Sequence, residues 1–246
     1  MMDVLILRLS APMIALGGAM VDNLGFIREF PALSMLTGML GNALGYEHRD
    51  SIKLQQLQNS LRIAIRCDSP GKKLIDYQTV DLGQEYLKKT GWTTYHKVEE
   101  RGGDSSEGTH LRYRHYWSDA VYTLAVTLNP LIEGLTIACL EQALLYPARP
   151  LFIGRKCCIP AEPIFYGKMY VKSLLEALSS VPLAKQALSM HANLSLPVWC
   201  SIEEELLGKV HVFPITDERD WGNQIHCGRR MMQAGTITLK QGEEMR

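Results

Sequence analysis

The sequence predicts an α+β protein, and three observations carry that reading. Over residues 1–145 strand-like and helix-like segments follow in the order β-α-β-insertion-β-α, most of a βαββαβ unit of the ferredoxin-like or RNA-recognition type. A Gly-rich stretch at 69–110 interrupts that order. Its short β-prone runs suit a projecting β-hairpin better than a structureless loop inside a compact domain. Beyond residue 150 only one helical segment and several short strand-like runs remain, which marks a smaller, β-rich second part. With 246 residues and 46% hydrophobic side chains, the chain has the length and apolar share for one large domain or two modest ones. It is too apolar to be disordered over its bulk.

Residues 3–9 (DVLILRL) are the nearly continuous apolar run of a buried central strand. A loop containing Gly17, Gly18 and Gly25 follows. From Phe30-Pro31 onward, Leu33, Leu36, Leu40 and Leu44 recur at helical spacing, with Ser34 close to the capping position. Gly38, Gly41 and Gly45 weaken that helix by about 1 kcal/mol each if interior, so something packs close to them: the sheet, or the backbone of a ligand. A second helical piece at 52–61 leads into 62–67 (RIAIRC), where Arg62 and Arg66 alternate with Ile63 and Ile65 as in a half-exposed strand. The insertion holds the pairs Lys72-Lys73 and Lys88-Lys89, a β-prone run at 92–98 and a mobile tip expected at 101–108. Strand character returns at 112–128 and ends at Asn129-Pro130. A helix at 131–145 stops before Pro147. The second part offers a helix at 171–178 and strands at 197–201, 209–213 and 236–239.

Charge narrows the function. The 26 basic and 26 acidic side chains balance, which argues against a protein that coats nucleic acid unspecifically. Residues 151–200, however, carry five basic against two acidic groups, enough for a small anion footprint. No apolar stretch reaches the roughly 18–20 residues of a membrane span. Asp3 and Arg8 interrupt the first apolar run, so it reads as a strand rather than a signal segment, and the expected location is cytoplasmic with no membrane association. Six cysteines show neither CxxC pairs nor zinc-finger spacing, which suits buried thiols in a reducing compartment. The seven histidines form no HxxxH or HExxH pair, so neither metal nor cofactor is expected. Dinucleotide, P-loop, GxSxG and kinase motifs are missing too.

Three stretches combine charge with rings or glycine. In LRYRHYW, strand alternation places Arg112, Arg114 and Tyr116 on one face and Tyr113, His115 and Trp117 on the other. Rings stack on bases and guanidinium groups hold phosphate oxygens, the chemistry of single-strand binding; half-buried aromatics beside solvated arginines would look the same. ARPLFIGRKCCIP sets Gly154 beside Arg155 and Lys156, either a phosphate-holding loop or an ordinary basic turn. RDWGNQIHCGRR brings Trp221, His226, Arg229 and Arg230 into a Gly-punctuated loop that is either a contact surface or a tether.

Taken together the chain resembles the CasD family, the smallest backbone-capping subunit of CRISPR Cascade complexes, type I-E in particular, within the RAMP superfamily. The residues that carry the resemblance are VLILRLSAPM (4–13), FPALSMLTGMLGNALG (30–45), RIAIRCD (62–68), DYQTV (76–80), RYRHYWSDAVYTLAV (112–126), FIGRKCCIP (152–160) and RDWGNQIHCGRR (219–230). The resemblance implies a modified RNA-recognition fold: a ferredoxin-like domain at 1–149, a β-hairpin thumb at about 78–111, and a small β-rich domain at 150–246. It implies that the chain holds the 5′ handle of a CRISPR RNA, touches the Cascade backbone and large subunits, and meets target DNA only indirectly. By position, Ser34, Thr37 and Gly38 on the first helix, Arg114 and Tyr116 at the thumb base, and Arg149, Arg155 and Lys156 in the second-domain loop would contact RNA. The chain departs from the family at Ile14-Ala15-Leu16-Gly17, where a Gln-Ser-Trp-Gly run is frequent, and at Ala32 and Leu33, where a threonine and a basic residue are frequent.

Two other functions follow from the same residues. Some relatives cut precursor RNA with Tyr, Lys and His; here Tyr46, Arg114 and His115 would stand in, with arginine a poor proton donor in place of lysine. A protein–protein adaptor without RNA contact is the third.

Overall fold

The computed structural model describes residues 1–18, 20–21, 24–81, 91–92, 98–99, 108–187 and 195–239. In chain order the first part contains β1 (Met2–Ser10), β2 (Met13–Ile14), β3 (Met20–Val21), β4 (Leu24–Gly25), α1 (Leu33–Ala43), α2 (Ser51–Ser60) and β5 (Leu61–Ser69). Next come β6 (Lys72–Asp81), β7 (Gly91–Trp92), β8 (Val98–Glu99), β9 (Thr109–Ser118), β10 (Val121–Leu128) and α3 (Ile137–Leu145). The rest holds β11 (Phe165–Val171), α4 (Leu174–Ser180), β12 (Ser195–Ser201), β13 (His211–Ile215), β14 (Glu218–Asp220), β15 (Ile225–Cys227) and β16 (Arg230–Thr238).

The main sheet has seven strands in the order β11-β1-β10-β5-β12-β16-β13, every neighbour antiparallel. Period-2 alternation along β1 explains how it is covered. Leu5, Leu7 and Leu9 point to one face, where they meet Leu36 and Leu40 of α1 and Leu140 of α3. Val4 and Ile6 point to the other, under Leu174 and Leu178 of α4. With helices on both faces, β1 and β10 need apolar residues on both sides, and all of Val121–Leu128 is buried. Burying each such Leu or Ile contributes about 1.5–3 kcal/mol.

That second covering layer corrects the expectation for 62–67. Arg66 is fully buried, because its face of β5 lies under α4 instead of facing water. Its guanidinium donates to Asp68 (Nε to Oδ1, 2.6 Å; Nη2 to Oδ2, 3.0 Å) and to the carbonyls of Leu178, Val181 and Pro182. Asp68 also accepts from the Thr123 hydroxyl (2.9 Å) and the Ala184 amide (3.0 Å). The two charges satisfy the end of α4 and tie it to the sheet.

Smaller differences have local causes. The run at 112–128 breaks into β9 and β10 at Asp119, whose φ of 57° turns the chain. The helix expected from 131 starts at Ile137, where the Thr136 side chain accepts from the Cys139 amide at 3.2 Å. The helix expected from 171 starts at Leu174, where Ser173 accepts from the Glu176 amide at 3.1 Å, and Val171 ends a strand instead. β6 and β9 pair antiparallel from Lys72↔Ser118 to Asp81↔Thr109, so the paired arms begin before residue 78. Lys88-Lys89 and the expected tip at 101–107 lie outside the described residues. Among the described residues, no helix is long and apolar enough to cross a membrane.

Candidate nucleic-acid interface

The site is built around α1. Its N-cap, Ala32, has no side-chain acceptor, and Ser34 lies inside the helix and does not cap it. The cap comes from Asp217, whose carboxylate accepts from the Leu33 amide (2.9 Å) and whose carbonyl accepts from the Ser34 amide (2.9 Å). Arg230 holds that carboxylate by two bonds of 2.7 Å each. The helix glycines face neighbours. A Cβ on Gly38 would lie 3.6 Å from the Trp221 ring, and one on Gly41 would lie 2.6 Å from Leu54 of α2. Close packing against α2 accounts for Gly41, whereas Gly38 faces Trp221 at ordinary contact distance. Trp221 is fixed in turn by its indole N–H, which donates to Gln58 Oε1 at 3.1 Å.

Segments distant in sequence (15–18, 26–28, α1, 149–155 and 216–226) enclose a cleft of about 800 Å³. This is toward the upper end of the roughly 300–1,000 Å³ typical of ligand sites. Arg28, Arg149, Arg155 and Arg219 line it, and none pairs with a carboxylate among the described residues. Neutral groups hold them. Arg28 donates to the Thr216 carbonyl (2.7 Å), Arg149 to Asn42 Oδ1 (2.8 Å) and the Tyr46 carbonyl, and Arg219 to Gln224 Oε1 (2.7 Å). Arg155 donates to the carbonyls of His115 (2.9 Å) and Gly25 (3.2 Å) and lies 4.7 Å above the Tyr116 ring. The two carboxylates in the wall are already engaged, Glu47 by Arg49 at 2.8 Å and Asp217 by Arg230. Phe26, Tyr46, Phe152 and Trp221 supply rings. Uncompensated guanidinium groups beside rings suit a ligand that is both anionic and planar in parts.

Of the residues expected from the sequence, Ser34, Gly38, Arg149, Arg155 and Tyr46 line this cleft. Thr37 does not: it is fully buried and donates its hydroxyl to the Leu33 carbonyl at 2.9 Å. Arg114, His115 and Tyr116 lie on β9 outside the cleft wall, Tyr116 buried beneath Arg155, and Lys156 is exposed just beyond Arg155. Arg28 and Phe26 were not singled out by the sequence; a single arginine in the run GFIREF is the only trace of them.

Burial, reinforced by the Asp50 charge, pushes the Tyr46 phenol up, so it stays a hydrogen-bond donor. Burial, together with the charges of Lys73 and Arg155, pushes the His115 imidazole down. Its Nδ1 is buried with no hydrogen-bond partner among the described residues. A neutral His115 therefore stabilises the fold fully above the unfolded value of about 6.5, and that contribution is lost as pH falls from there through the lower folded value. Urea titrations at pH 7.5 and 5.5 are expected to show a smaller acid loss in His115→Gln than in the parent; equal losses would refute this. Burial also pushes the Cys158 thiol up to about 11, so the basic loop holds no thiolate there at neutral pH.

The fold is a two-face-covered antiparallel sheet carrying a cleft whose arginines have no carboxylate partner among the described residues. Residues 4–233 match the family described as "CRISPR-associated protein (Cas_Cas5)". The CRISPR system Cascade subunit CasD of Escherichia coli (strain K12) is 34% identical over 182 residues, spanning 72% of this chain and 76% of that protein. The chain thus belongs to the CRISPR-associated Cas5/CasD family, the one its motifs resemble. A chain of a "CRISPR RNA-guided surveillance complex" shares the fold with a TM-score of 0.66 at 22% identity, covering 96% of this chain and 90% of that one. A second solved structure, "Crystal structure of Cas protein", gives 0.64 at 20% identity over 97% and 98% of the two chains.

Proposed function

We propose that this chain is a non-catalytic CRISPR RNA-binding subunit of a Cascade-type interference complex in the cytoplasm. It holds the repeat-derived 5′ handle, contacts the backbone and large subunits, and meets target DNA only through them. The observation that carries this is the cleft lined by aromatic rings and by four arginines that pair with no carboxylate among the described residues. Phosphate contacts place a strand, and unstacked bases supply the specificity that a neutral chain cannot draw from bulk charge. The relative's name, Cascade subunit CasD, supports the assembly. The order β11-β1-β10-β5, fourth, first, third and second strand of a βαββαβ unit, supports the ferredoxin-like reading. The β6–β9 ribbon supports the thumb. Residues 1–149 and 150–246 are then two parts by sequence whose strands share one sheet.

The endoribonuclease alternative needs Tyr46, Arg114 and His115 around one phosphate. Tyr46 lines the cleft, whereas His115 is buried on β9 against Phe26, which weighs for a scaffold. The test is anisotropy of a labelled repeat-derived RNA across a salt series. Arg28→Gln and Lys156→Gln should each lower the salt slope by roughly 0.7, the share of one single-strand phosphate contact. Unchanged slopes in both would overturn the assignment. Metal-independent cuts abolished by His115→Ala would replace the scaffold reading with the nuclease one.

A further inference from the structure

We infer that Phe26 is a stacking platform for one unpaired nucleobase, whose flanking phosphates lie on Arg28 and Arg155. This rests on the RNA-binding reading above and names the part of the cleft that takes a ring. Phe26 lines the cleft yet is 44% exposed, whereas the Trp221 and Tyr116 rings are only 4% and 2% exposed. Phe26 thus presents an open ring face to the cleft between Arg28 and Arg155, which line the same wall, and a planar group laid on that face would remove it from water.

The ring is rigid for identifiable reasons. Buried His115 meets it edge to face, with centroids 5.3 Å apart and planes at 83°. Gly25, the preceding residue, belongs to β4 and aligns with Arg114 of β9. On the other side, the Arg28 carbonyl accepts from the Trp117 indole at 2.7 Å. Gly18 approaches closely as well: a Cβ there would lie 2.8 Å from the Phe26 carbonyl oxygen. A held ring loses little conformational entropy on binding.

Charge identifies what lies on it. Arg155 donates to the carbonyl of Gly25, immediately before the phenylalanine, and Arg28 lies two residues after it. A purely apolar partner would gain nothing from two cations that line the same cleft and have no carboxylate partner among the described residues. A single-stranded nucleotide presents a π-face between two phosphates and uses all three groups.

Stacking and phosphate contacts separate in salt dependence, which supplies the test. Full-length chain is titrated with labelled repeat-derived RNA at several salt concentrations. Phe26→Leu should bind about 5- to 150-fold more weakly, with an unchanged salt slope because no phosphate contact is lost. Phe26→Trp should restore the affinity. Binding by Phe26→Leu within about twofold of the parent, a lowered slope, or failure of tryptophan to rescue would each overturn the inference while leaving the functional reading intact. Absence of RNA binding by the parent chain would overturn both.

Discussion

Arg66→Leu is expected to lower the unfolding free energy by about 3–5 kcal/mol, because it strands the buried Asp68 carboxylate without its bidentate partner. The arginine is wholly enclosed and satisfies the carbonyls of Leu178, Val181 and Pro182, so the substitution also leaves the end of α4 short of donors. Arg8 cannot replace it: its nearest approach to Asp68 is 4.0 Å, and it is occupied by the Pro182 carbonyl at 2.9 Å. Urea denaturation followed by far-UV circular dichroism measures the loss. Adding Asp68→Leu should recover part of it, since the stranded carboxylate is removed, but not all, because buried Arg8 then loses its own carboxylate neighbour. A single-variant loss below about 1 kcal/mol, the ordinary size for a point substitution, would show that the pair is dispensable.

Gly154→Ala should dismantle the basic loop with little effect on the rest of the sheet. Gly154 has φ +89°, and a Cβ there would sit 1.7 Å from the Ala15 carbonyl oxygen. The left-handed backbone alone costs about 1–3 kcal/mol for a non-glycine residue. The clash adds to that, because backbone rather than a flexible side-chain end is the obstacle. The loop is otherwise pinned at both ends, with the Ala15 amide donating to the Ile153 carbonyl at 3.1 Å and the Ile153 amide to the Cys158 carbonyl at 2.8 Å. Moving it lifts Arg155 from the carbonyls of Gly25 and His115. Handle RNA should then bind at least about tenfold more weakly, equivalent to about 1.4 kcal/mol, while the urea midpoint of the core falls less than in Arg66→Leu. Unaltered RNA affinity would show that this loop takes no part in binding.

Periodicity revealed the elements whose signal is local. The apolar run of β1, the leucine spacing of α1 and the alternation in β10 each identify their element without reference to the rest of the chain. Arg66 shows where that stops. Alternation shows that a strand has two different faces, but not that α4, more than a hundred residues later, covers the second one. β11 escaped notice because Gly167 and Lys168 break the apolar pattern of an edge strand, which has solvent beside it. In the site, Arg155, Lys156 and Trp221 stood out because each has charged or glycine neighbours in sequence. Phe26 and Arg28 sit in GFIREF, a run with a single basic residue, and their significance comes from Arg155, His115 and Thr216 arriving from elsewhere. The glycines of α1 signalled close packing, yet the partner of Gly38 lies at position 221, beyond the reach of any local pattern.

The donor–acceptor pair that finishes the start of α1 spans 184 positions. During synthesis that helix therefore leaves the ribosome long before residue 217 exists to receive its first amides, and Arg28 waits equally long for the Thr216 carbonyl. A nascent product halted before this point lacks the part of the cleft wall that Thr216, Asp217, Arg219, Trp221 and His226 supply. Only polypeptides translated through that segment carry the complete cleft.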